Sequence, residues 1–171
     1  MGTRNLTKVI DKDGVVRVAQ YGQWDGYPTG QGVSMLSFIS EYGMLDKIEK
    51  SLVKCRFVEQ QVIDNAWFAY EAQSKWDELR KDFNGFGIAF PSLSRDTGSD
   101  ILKVIVYSED VALYNDSEFE QDGLFCEGVY TLNYQTREFT SWFNGDTVTV
   151  SIDKLPTVEE YLNSWQVLTN A

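Results

Sequence analysis

Asn5-Leu6-Thr7-Lys8-Val9-Ile10-Asp11-Lys12-Asp13-Gly14-Val15-Val16-Arg17-Val18-Ala19-Gln20-Tyr21 reads as a β-hairpin. Leu6, Val9 and Ile10 before the turn, and Val15, Val16 and Val18 after it, supply the β-branched and apolar bulk that strands favour. Asp11-Lys12-Asp13-Gly14 is a turn sequence in which Gly14 provides the positive φ. Strands are therefore expected over 5–10 and 15–21.

The hairpin runs into Gln20-Tyr21-Gly22-Gln23-Trp24-Asp25-Gly26-Tyr27-Pro28-Thr29-Gly30-Gln31-Gly32, which holds four glycines, three aromatics and three glutamines. Pro28 disfavours helix at Tyr27, and Thr29 is placed to cap a helix that begins near Gly30. Val33, Met35, Leu36, Phe38, Ile39 and Tyr42 then recur at helical spacing, with Gly43 as a stop. A second helix is expected over 45–54. Residues 55–83 are helical in tendency, in one helix containing Val62, Ile63, Ala66, Trp67, Ala69 and Tyr70 and another containing Trp76, Leu79 and Phe83. Asn84-Gly85-Phe86-Gly87 should break that pattern.

A helix over 98–107 and an acidic connector over 109–123 follow. Strands return at Leu124–Tyr134, Glu138–Trp142 and 147–152, the last after the turn signature Asn144-Gly145-Asp146. Thr157 and Glu160 form a capping box ahead of a helix over 158–165. This order predicts an α+β layered sandwich, with an N-terminal hairpin, central helices and returning antiparallel strands. A length of 171 residues suits one globular domain over 1–171.

Charge and composition exclude several functions. Net charge is −11, which opposes binding to a nucleic-acid backbone but leaves room for a small anion held by a few local bases. The chain contains no histidine, which removes every Ser-His or Cys-His nucleophile pair. Cys55 and Cys126 alone are too few ligands for structural zinc, and they read as reduced thiols. No apolar run has signal-peptide or membrane-spanning length, so a cytoplasmic protein without a membrane partner is expected. Leu6 breaks the myristoylation pattern that Met1-Gly2 would begin. No metal or cofactor is implied, and nothing opposes an oligomer.

Several constellations carry potential chemistry. The glycines of the 20–32 stretch let backbone approach a ligand, and N–H groups near Gly30-Gln31-Gly32 are candidates for holding an anion. A plain strand-to-helix connection explains the same glycines, although Trp24, Asp25, Tyr27 and Gln31 are side chains a mere turn does not need. In Ser92-Leu93-Ser94-Arg95-Asp96-Thr97-Gly98, Arg95 offers a planar fork for carboxylate or phosphate, and Asp96 or Thr97 is equally suited to capping a helix. Arg4 sits in an apolar hairpin and should seek Asp25, Asp96 or the pocket. Asp116, Glu118, Glu120, Asp122 and Glu127 have calcium-loop spacing, but Gln121 stands where the sharp turn needs glycine. Processing at Met1-Gly2 would free Gly2, which has no nucleophilic side chain. Only further trimming would expose Thr3.

Gly2-Thr3-Arg4-Asn5-Leu6-Thr7, the run Ala19 to Pro28, Gly30-Gln31-Gly32 and Ser94-Arg95-Asp96-Thr97-Gly98 together resemble a group of small phage-encoded proteins of unassigned function. That group has relatives in bacteria and fungi. The likeness reaches the strand from Cys126 to Tyr134. It implies a phage or bacterial cytoplasm and one site shared by these segments. The order of elements is also similar to the N-terminal-nucleophile hydrolase sandwich, although Gly2 stands where those enzymes carry Cys, Ser or Thr. Three functions follow as expectations. The first is a small-molecule pocket, with Arg4, Trp24, Asp25, Tyr27, Gln31, Arg95 and Asp96 converging on an anionic ligand such as a nucleotide-derived host immune signal. The second is a hydrolase working through Asp25, Asp96, Glu127 or Tyr27. The third is an acidic protein that binds or mimics a partner.

Overall fold

The computed structural model describes residues 2–74 and 85–170. The hairpin is present as β1 (Asn5–Ile10) and β2 (Val16–Gly22). Its turn is held by the Asp11 carboxylate, which accepts from the N–H groups of Asp13 and Val15, both at 2.9 Å. Gly14 has φ +83°, as the turn requires.

The central glycine-rich stretch delivers one π-turn over Pro28–Gly32, followed by α1 (Val33–Ile39). Next come α2 (Met44–Ser51), β3 (Cys55–Phe57) and α3 (Gln60–Ser74). The expected helix around Trp76, Leu79 and Phe83 lies outside the described residues. Gly85–Ala89 forms a short helix, α4, where a break was expected. α5 (Ile101–Tyr107) and β4 (Val111–Leu113) follow. The chain ends in β5 (Gly128–Asn133), β6 (Glu138–Phe143), β7 (Asp146–Ser151) and α6 (Val158–Thr169).

The fold is α+β. Its main sheet has the order β2-β1-β5-β6-β7. All neighbours are antiparallel except β1 and β5, which run parallel from Asn5↔Gly128 to Ile10↔Asn133. Asn144 and Gly145, with φ +48° and +97°, make the tight β6–β7 turn. β5 begins later than its apolar pattern suggests. Asp122 holds the preceding residues in a turn, its carboxylate accepting from the N–H groups of Leu124 and Phe125. β3 and β4 form a separate parallel pair.

One face of the main sheet carries the larger core. Val9, Val18, Tyr130, Leu132, Phe139 and Val148 pack there with Met35, Leu36 and Ile39 of α1, Ile48 of α2, Ile101, Leu102 and Ile105 of α5, and Tyr161 and Trp165 of α6. Burying each large apolar side chain contributes roughly 1.5–3 kcal/mol. Thr157 caps α6, its hydroxyl accepting from the Glu160 N–H at 3.1 Å. On the opposite face a smaller cluster of Leu6, Ala19, Cys126 and Val129 lies against Phe119 and Trp142. Beyond it that face is open, with Thr147 and Thr149 exposed.

The outer edge of β2 is covered by chain from elsewhere. Ala19 C=O accepts from Asp116 N–H at 3.0 Å, and Gln23 N–H donates to Arg95 C=O at 2.9 Å. The Asp116 carboxylate accepts from Tyr21 N–H at 3.2 Å. These bonds fix the segments around Arg95 and Asp116 beside one strand edge.

Candidate functional site

The glycine-rich stretch is a packed crossing over the end of the sheet. The Tyr130 hydroxyl, fully buried, donates to Gly26 C=O at 2.6 Å. A Cβ on Gly32 would lie 2.3 Å from the Tyr161 hydroxyl, and one on Gly26 would lie 2.6 Å from Thr3 C=O. The glycines are thus required by close approach of protein to protein. The N–H groups expected to hold an anion already have partners: Gly26 donates to Thr3 C=O, Gly30 and Gly32 to Tyr27 C=O, and Gln31 to Asp25 C=O. Asn5, buried in β1, ties the stretch down by donating to Trp24 C=O at 3.0 Å. Asp25 adopts φ +54°, the left-handed region.

Part of the expected convergence is present. The Trp24 indole N–H donates to Asp96 at 2.8 Å. The Gln31 side chain donates to Trp24 C=O and accepts from Ser99 N–H at 2.8 Å. Trp24, Asp25, Gln31 and Asp96 share a cleft of about 620 Å³. Arg95 lines a different cavity, of about 640 Å³, with Trp67, Phe86, Leu93, Ser94 and Asp96, the last shared with the cleft. Trp67 and Phe86 stack there with ring centres 3.8 Å apart.

Two expected members lie elsewhere. Tyr27 packs on Phe143, with ring centres 5.8 Å apart. Arg4 pairs with Glu127 at 3.9 Å and lies over the Phe125 ring at 4.6 Å, so its partner is neither Asp25 nor Asp96. Glu127 precedes β5, and the parallel pairing of β1 with β5 brings it beside Arg4. That pairing is not readable from local sequence.

A third concavity, of about 190 Å³, lies between the β2 edge and the Ser92–Arg95 segment. Gln20, Tyr21, Gln60, Tyr114, Arg95 and Asp116 are among its walls. Burial pushes the Asp116 carboxyl up to about 6, against a smaller opposing effect from the Tyr21 N–H. Burial also raises the Tyr21 phenol, while nearby Arg4 and Arg95 oppose the shift. Sequence reading placed Asp116 only within a calcium-like acidic run. Its burial and its place beside β2 were missed, since its neighbours Glu118 and Glu120 have the same local character.

Several acids of the connector are engaged within the protein. Glu120 pairs with Lys8 at 2.7 Å, Glu127 with Arg4, Asp110 with Arg56, and Asp122 holds a turn. Among the described residues there is no cluster of His, Cys, Asp or Glu able to hold a metal ion. Cys55 and Cys126 are free and buried, and burial pushes both thiols up to about 11, leaving little thiolate at neutral pH. No described helix is long and apolar enough to cross a membrane. In comparisons with known proteins, no family model, curated protein or solved structure matches the chain.

Proposed function

We propose that the protein binds a small planar anion of the nucleotide class along the Ser92–Thr97 segment. The observation that carries this reading is the state of the arginines. Arg4 pairs with Glu127, Arg17 with Asp11, Arg56 with Asp110 and Arg137 with Asp153. Among the described arginines Arg95 alone has no hydrogen-bonding or ionic partner for its guanidinium, and it lines a cavity walled by Trp67 and Phe86. A guanidinium fork suits the paired acceptors of a nucleotide, and the aromatic-walled cavity beside it gives the rest of such a molecule room. The likeness to phage-encoded proteins adds a biological setting: a nucleotide-derived host signal, sequestered or cleaved.

The test is a thermal-shift and calorimetric screen of nucleoside monophosphates, diphosphates and cyclic nucleotides against wild type and Arg95→Ala. A ligand at a hundred times its Kd should add about 2.7 kcal/mol to stability. Loss of a charge-assisted contact of about 1.5–3 kcal/mol should weaken binding by about tenfold to a hundredfold in the variant. Absence of any shift with wild type would remove the nucleotide reading. Mass spectrometry of the recovered ligand then separates binding from cleavage.

A further inference from the structure

We propose that the 190 Å³ pocket beside β2 is a base-recognition subsite that selects guanine through Asp116 and Arg95. The inference rests on the nucleotide reading above and names the base.

Asp116 is held at both ends. Its N–H donates to Ala19 C=O, and its Oδ2 accepts from Tyr21 N–H. Its carboxylate is therefore fixed in direction. The acids Asp110, Glu120 and Glu127 each have a cationic partner, whereas among the described residues the Asp116 carboxylate accepts only that one backbone N–H. A carboxylate has about four acceptor sites, so most of those on Asp116 are unused. Arg95 lines the same pocket, yet the two groups do not form an ion pair. A partly buried acid and an arginine without an ionic partner line one small space, which calls for a ligand that donates to the first and accepts from the second.

Guanine meets both demands on adjacent edges. Its N1–H and N2–H₂ are two donors side by side, matched to a carboxylate. Its O6 and N7 are two acceptors, matched to the arginine fork. Adenine would set its N1 lone pair against the carboxylate lone pairs. Pocket size agrees with a base alone, since sites for drug-sized molecules run to about 300–1,000 Å³. The ribose and phosphate would extend into the 640 Å³ cavity, which shares Leu93, Ser94 and Arg95 with this pocket.

Calorimetry with GMP, IMP and AMP, and with guanosine and adenosine, tests the inference on wild type and Asp116→Asn. Wild type should bind GMP at least about tenfold more tightly than AMP, with IMP between them because it lacks the N2 donor. Guanosine should keep the same preference over adenosine without any phosphate. Asp116→Asn retains an acceptor for Tyr21 N–H, and its fold is checked by circular dichroism. It should abolish the guanine preference while leaving AMP affinity within about twofold. Equal binding of GMP and AMP by wild type, or an unchanged ratio in Asp116→Asn, overturns the base assignment while the nucleotide reading stands. If none of the five ligands binds wild type, the base assignment falls, and the wider screen of diphosphates and cyclic nucleotides decides the nucleotide reading separately.

Discussion

The glycine-rich stretch and the β2-edge pocket differ in what they leave unpaired. In the first, the backbone N–H groups of Gly26, Gly30, Gln31 and Gly32 donate to carbonyls of the same neighbourhood, and Tyr161 and Tyr130 fill the space beside Gly32. In the second, Arg95 lacks a partner and the Asp116 carboxylate accepts a single N–H. Composition drew attention to the first region. An arginine and a carboxylate that share a pocket without an ionic partner mark the second region as the better candidate.

Substitutions that fill space in the stretch should cost the most. Gly32→Ala would press a methyl against Tyr161 and Tyr130, at 2.3 and 3.0 Å. A loss of about 3 kcal/mol in urea unfolding is expected, at the upper end for overpacking. A loss under about 0.5 kcal/mol would show that the stretch is not tightly packed. Asp116→Asn should act in the opposite sense. The folded-state carboxyl is raised from 3.8 to about 6, so the native protein binds more protons than the unfolded chain between those values. The stability this proton affinity confers is present at pH 4 and lost as pH rises through about 6. Removing the charge should therefore stabilise by ~2 kcal/mol at pH 8, after discounting for partial exposure, and by little at pH 4. Denaturant midpoints at the two pH values check both sign and size.

Smaller effects refine the same contrast. Trp24→Phe removes the indole donor to Asp96 at an exposed site and should cost about 0.5–1 kcal/mol, read as a shift in thermal midpoint. Arg95→Gln should change stability by no more than about 0.5 kcal/mol, because the guanidinium has no partner to lose. A larger loss for Arg95→Gln would mean that this side chain supports the fold, and would weaken the contrast from the pocket side.

Local signals in the sequence matched local structure. Asp11 to Gly14, Asn144-Gly145 and the Thr157–Glu160 cap each act within a few residues, and each forms as its residue types dictate. The α+β class followed from the order of such elements. The parallel β3–β4 pair escaped because three residues such as Cys55–Phe57 are too short to show a period of two. Arg4 was misassigned a partner because Glu127 reaches it only through the β1–β5 pairing. Trp24 and Gln31, seven residues apart, were legible as one neighbourhood, whereas joining them to Asp96, 72 residues from Trp24, rested on the resemblance. Asp116 was not, since its environment is set by an edge far back in the chain.

The same β1–β5 pairing sets a schedule for the making of the protein. Arg4 and Glu127, which flank the start of that ladder, are 123 residues apart. At about 5–20 residues per second on a ribosome, β1 waits roughly 6–25 seconds for its partner strand. During that interval the emerged hairpin presents a bare apolar edge with Leu6 and Val9 beside it. Nascent chains stalled before residue 128 should therefore be the most aggregation-prone species this sequence produces, and the hairpin's survival through that delay depends on the short-range Asp11–Gly14 turn.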